Sequence, residues 1–106
     1  MTLAEMKTLL EAINGFSGKV VYRAWPIGQS PALPFIVFYT TGDDSFKADD
    51  KIYYAKKTVI IELYSEYKDE TSEALVEAAM DGIIYSKDET YIDDERMTLV
   101  TYTMEV

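Results

Sequence analysis

Phe35-Ile36-Val37-Phe38-Tyr39 is apolar at every position, and this run constrains the fold more than any other feature of the chain. A strand shows successive side chains to opposite faces, so such a run gives its sheet an apolar surface on both sides. Further on, Val59, Ile61 and Leu63 alternate with Thr58, Ile60, Glu62 and Tyr64, and Met97 and Leu99 alternate with Val100, Tyr102 and Met104. Two amphipathic helices are available to cover these strands. The first is predicted over 2–14, where Thr2 and Glu5 have capping-box spacing and Leu3, Met6, Leu10 and Ile13 repeat at helical intervals. Leu9 widens that stripe, and Asn14-Gly15 supplies a left-handed stop. The second is predicted over 70–81, with Asp69 as its cap and Glu70 and Glu73 in the first turn, where the helix dipole favours anions. Leu75, Val76, Ala79 and Met80 form its apolar face, and Gly82 ends it.

The strands fall between and after these helices. Lys19–Ala24 reads as a short strand, followed by an irregular connection that holds all three prolines, Pro26, Pro31 and Pro34. Phe35–Thr40 and Ile52–Tyr64 are strand runs, separated by an acidic segment with Asp43, Asp44, Asp49 and Asp50. The run from Ile52 would extend about 43 Å if straight, against a radius of gyration of about 13 Å for a compact domain of this size. An extended β-hairpin arm, formed where residues 42–53 leave the body, accommodates that length. Ile83–Ser86 and Tyr91-Ile92 are short strand candidates with Lys87-Asp88-Glu89-Thr90 turning between them, and Met97–Val106 closes the sheet. The expected fold is a single α+β domain over 1–106, in the order α-β-β-β-α-β-β. Its mainly antiparallel sheet carries both helices on one face.

Composition narrows the chemistry. The chain has 106 residues, no cysteine and no histidine, which excludes disulfide frameworks, zinc fingers, thiol nucleophiles and Ser-His-Asp triads. With 19 acidic against 10 basic residues the net charge is −9, so a direct grip on nucleic acid is not expected. No apolar run is long enough for a membrane span and nothing resembles a leader peptide. The four aspartates between 43 and 50 fail the calcium-loop pattern: counting from Asp43, position five is Lys47, position six is Ala48 and position twelve is Tyr54. Glu62, Glu66, Asp93, Asp94 and Glu95 could supply an acid/base pair, but no spacing in a sequence places two carboxylates across a cleft. Gly15-x-x-Gly18 lies between a helix and a strand, the wrong order for a phosphate cradle, and Pro31-x-x-Pro34 is explained by a loop entering a strand. No catalytic residue, metal site or cofactor is expected.

Two surfaces remain. A second apolar sheet face with no helix to cover it fits burial against another subunit, with Phe38, Phe46, Tyr54, Ile60 and Tyr64 as the candidate contacts. The alternative is a sheet curled enough to cover itself. Nine tyrosines and one tryptophan suit an interface. On the second helix, Glu70, Glu73, Glu77 and Asp81 share one face with no basic residue among them, a candidate acidic surface.

Trp25-Pro26-Ile27-Gly28 leading to Pro34-Phe35-Ile36-Val37-Phe38-Tyr39, then Ala48-Asp49-Asp50-Lys51-Ile52-Tyr53-Tyr54, then Ile61-Glu62-Leu63-Tyr64-Ser65 with Lys68-Asp69 opening a helix, resembles the small minor structural proteins of tailed phages and of prophages in Gram-positive bacteria. The architecture is similar to tail-terminator, tail-completion and head–tail joining subunits, α+β proteins that assemble into hexameric rings. The resemblance implies a non-enzymatic virion assembly protein whose partners are copies of itself and other tail or connector proteins, present in the host cytoplasm during assembly and then in the virion. It transfers no active-site residues. The rival expectation is a small acidic DNA mimic that occupies a basic groove on a host protein.

Overall fold

The computed structural model describes residues 1–43, 47–48, 51–52 and 57–106, with side chains at 1–41 and 57–106. Helix α1 (Leu3–Glu11) opens with the expected capping box: Thr2 N–H donates to Glu5 Oε1 at 2.9 Å and Glu5 N–H donates to Thr2 Oγ1 at 3.1 Å. It ends three residues before position 14, yet Ile13 and Phe16 are still buried, carried inward by successive turns. The apolar period outlasts the helix that it predicts.

Strand β1 (Val20–Tyr22) is shorter than expected because Arg23 takes a φ of 72° and turns the chain away. It is followed by β2 (Phe35–Asp43), the two-residue strands β3 (Lys47–Ala48) and β4 (Lys51–Ile52), β5 (Lys57–Ser65), helix α2 (Glu70–Ala79), β6 (Tyr85–Ile92) and β7 (Met97–Glu105). Five strands form one sheet in the order β1-β2-β5-β7-β6, and β3 pairs with β4 apart from it. β1 runs parallel to β2 and every other neighbouring pair is antiparallel. The fold is α+β. The register of β2 on β5 slips by one between Thr40 and Asp43, a bulge at the end of the shared ladder. The expected arm falls largely outside the described residues; within it, Lys47 lies opposite Ile52 and Ala48 opposite Lys51.

Both helices cover the same side of the sheet. Met6 and Leu10 of α1 and Val76 and Met80 of α2 share one core with Val20, Ile36, Phe38, Val59, Ile61, Leu63, Val100, Tyr102 and Met104. Those strand residues lie in register across the sheet: Phe38 opposite Ile61 opposite Tyr102, and Ile36 opposite Leu63 opposite Val100. Phe38 is therefore a core residue, 1% exposed, and its place among the candidate subunit contacts is corrected. In a run that is apolar at both parities, the parity of Phe38 is settled only by its pairing with β5.

The second correction concerns β6. Lys87-Asp88-Glu89-Thr90 was expected to turn, but it lies in the middle of a continuous eight-residue strand paired along its length with β7. The turn comes at 93–96, where Arg96 has a φ of 52°. An edge strand needs no apolar alternation when its inward positions meet charged partners, and that is what Lys87 and Glu89 do here.

Candidate functional site

The side of the sheet that neither helix covers is built from the other parity of each strand. Three cross-strand rows run over it: Phe35–Tyr64–Leu99, Val37–Glu62–Thr101 and Tyr39–Ile60–Thr103. Phe35 and Tyr64 have ring centroids 5.2 Å apart, and the indole of Trp25 meets Phe35 edge-on at 5.9 Å. At the centre the Glu62 carboxylate accepts from both flanking phenols, from Tyr64 at 2.9 Å and from Tyr39 at 3.3 Å. Burial raises the pKa of both phenols above the ordinary tyrosine value, and the Glu62 anion adds to the shift in each. The two hydroxyls are thus held protonated as donors. Val37 is buried, while Phe35, Tyr39, Ile60, Glu62, Tyr64 and Leu99 are half-buried. Trp25 Nε1 is enclosed with no acceptor. This is a largely aromatic and aliphatic surface with one carboxylate tethered between two phenols.

Of the expected contact residues, Ile60 and Tyr64 lie here, four residues apart on the same strand with Glu62 between them on that face. Phe46 and Tyr54 lie outside the described residues. Tyr39, Glu62, Leu99 and Trp25 were missed as members of the surface. The alternation of β5 contained the signal: Val59, Ile61 and Leu63 make the more apolar set, so the remaining set faces away from the helices.

The expected acidic face of α2 is overturned in its middle. Glu70 and Asp81 are exposed, but Glu73 is only 3% exposed. Its Oε1 receives Lys68 at 2.9 Å and Lys87 at 2.8 Å. Glu77 accepts from Lys87 at 2.9 Å, from Tyr102 at 2.9 Å and from Tyr85 at 3.3 Å. Burial opposes the charge on Glu73, but the hydrogen bonds from Lys87 and Lys68 outweigh it and hold the carboxyl below its ordinary pKa. Glu77 is lowered as well, chiefly by Lys87 and secondarily by Tyr102, against its partial burial. Lys87 is pushed above the usual lysine range by the same two carboxylates. Periodicity along α2 could not show this, because the neutralising lysines come from the α2 approach and from a strand ten or more residues away. The network staples α2 to β6.

Among the described residues, no group of three or more Asp and Glu side chains is placed to hold a metal ion, and no helix is long and apolar enough to cross a membrane. Comparison with known proteins finds no matching family model and no matching curated protein sequence.

Proposed function

We propose that this chain is a non-enzymatic structural subunit that assembles with copies of itself through the uncovered sheet face, in the setting of phage tail or head–tail assembly. The observation that carries the reading is the row structure of that face. Three strands present aromatic and aliphatic side chains, half-buried within one chain, on the side that neither helix reaches. Burying them in a neighbour removes further apolar area from water, worth about 25 cal/mol per Å². Glu62 arrives at such an interface already satisfied by two phenols, so its desolvation is offset before a partner docks. The virion setting, and the ring at the tail terminus or head–tail joint, rest on the sequence resemblance.

The rival reading as a DNA mimic loses support from α2. Its motivating features are the net charge of −9, which stands, and a helix face of four like charges, of which two are tied to lysines.

The test is replacement of Ile60 by Lys and of Tyr64 by Glu in the full chain. Self-association followed by light scattering across concentration should weaken in both while the fold persists. In a phage that encodes the chain, Ile60→Lys should leave heads and tails unjoined. A chain that stays monomeric at every concentration, with both variants fully active in particle assembly, overturns the proposal.

A further inference from the structure

Strand β6 is the free edge of the main sheet. Among the described residues it has β7 on one side and no strand on the other. Alternate residues of this eight-residue strand turn their backbone N–H and C=O away from β7, and that row of unpaired groups forms a ready template for another strand. The opposite edge, β1, is only three residues long. Beside β6, Ile84 is 93% exposed and Tyr91 is 54% exposed. A shallow groove of about 580 Å³, lined in part by Ile83, Ile84, Tyr85, Met104 and Val106, adjoins its start.

From the charge pattern of this edge we infer that β6 pairs antiparallel with β6 of a second copy, about a two-fold axis through Asp88. Across a two-fold axis normal to the sheet, opposed residues must share a face, so their numbers sum to an even value. With the axis at Asp88 the sum is 176. Lys87, already held by Glu73 and Glu77, then lies opposite Glu89 of the second copy, already held by Lys68, twice over, so that the intrachain ion-pair network continues across the seam. Tyr85 lies opposite Tyr91, Ser86 opposite Thr90, and Ile84 opposite Ile92. Every pair but the central one is of a kind that stabilises antiparallel ladders. A shift of the axis to Lys87 or Glu89 also sets like charges at the centre, and moves Lys87 and Glu89 of the two copies from directly opposed to diagonal positions, where the pairing is weaker. The Asp88 register also brings Tyr91 and Ile92 of the second copy to the groove beside Ile84.

This edge is distinct from the three rows of the uncovered face and needs none of their residues, although Ser86, Asp88 and Thr90 lie on the same side of the sheet. A single strand edge buries less than the roughly 1,000 Å² typical of a stable interface, and each copy carries a net charge of −9. The dimer is accordingly weak, concentration-dependent and favoured by salt that screens the long-range repulsion. Its one unfavourable contact, Asp88 against Asp88, sits at the axis on an exposed residue.

The absence of cysteine makes a register test direct. In the full chain, Asp88→Cys puts two thiols across the axis, within the Cα separation of about 4.4–6.8 Å that a disulfide requires. Ser86→Cys leaves them about 13 Å apart. Under mild oxidation Asp88→Cys should cross-link and Ser86→Cys should not, with far-UV circular dichroism unchanged in both. Asp88→Asn should tighten the dimer roughly two- to fivefold by removing the like-charge contact, read by sedimentation across concentration. Cross-linking of both cysteine variants to the same extent overturns the inference, as does a dimer constant that Asp88→Asn does not raise. Association lost in Ile60→Lys while Asp88→Cys stays uncross-linked would assign the contact to the uncovered face alone; association kept in Ile60→Lys with Asp88→Cys cross-linked supports the edge independently of that face.

Discussion

The two faces of this sheet are made from neighbouring residues of the same strands, and they solve different problems. On the helix side, aliphatic and aromatic side chains from both helices and from β1, β2, β5 and β7 are almost wholly buried, and Tyr102 is fully buried with its hydroxyl donating to Glu77. On the other side, the row residues other than Val37 stop at half-burial, shielded by one another and by Trp25, and the carboxylate within those rows, Glu62, is satisfied by tyrosines and not by lysines. One face has been closed by the chain itself. The other is left half-closed, and on the proposed function a second copy completes it.

The sharpest way to break the comparison is to put the same charge on each face of β2. Phe38→Asp buries an unpaired carboxylate in the helix-side core and should cost about 4 kcal/mol or more, enough to unfold a marginal domain. Tyr39→Asp, one residue along and facing the other way, should cost about 1 kcal/mol, with its main effect on association. Urea denaturation of the two variants measures the difference directly.

The polar margin of the closed face gives an intermediate effect. Glu73→Gln removes the charge that holds Lys68 and Lys87; both lysines can return to water, so the expected loss is about 1–2 kcal/mol. The pH dependence has a definite sign. Glu73 and Glu77 lie below the ordinary carboxylate pKa when folded, so their contribution is complete above the unfolded value and is lost as pH falls through the lowered one. Lys87 is shifted upward, so its share is present below the ordinary lysine pKa and is lost as pH rises through the raised one. Acid titration of stability should therefore be shallower in Glu73→Gln than in the wild type. The smallest expected effect is on the same helix: Glu70→Gln, at an exposed position, should leave stability unchanged within error.

The contrast between Glu73 and Glu70 also explains what could be read before any coordinates. Helix caps, strand runs and the α+β class follow from local patterns, and the Thr2–Glu5 capping box appears as its spacing predicts. Three things depended on partners distant in sequence and were misread. The parity of Phe38 needed the register of β5; the inward turn of Glu73 needed Lys87; and the strand over Lys87–Thr90 needed α2 to accept its charges. In each case the local residues were compatible with two placements, and a long-range contact chose one. That Tyr64 and Ile60 lie on the side away from the helices was legible because Val59, Ile61 and Leu63 form the more apolar set of β5.

Trp25 provides the most direct test of the uncovered face, because it is the chain's single tryptophan and rests against Phe35 on that side of the molecule, at the far end of the sheet order from β6. Acrylamide quenching of its fluorescence should be measured across protein concentration beside the solution mass. If copies meet through the uncovered face, quenching falls as the mass grows, and Ile60→Lys abolishes both changes to the extent that this face drives assembly. A mass that grows while Trp25 stays as accessible as in the monomer would contradict the account.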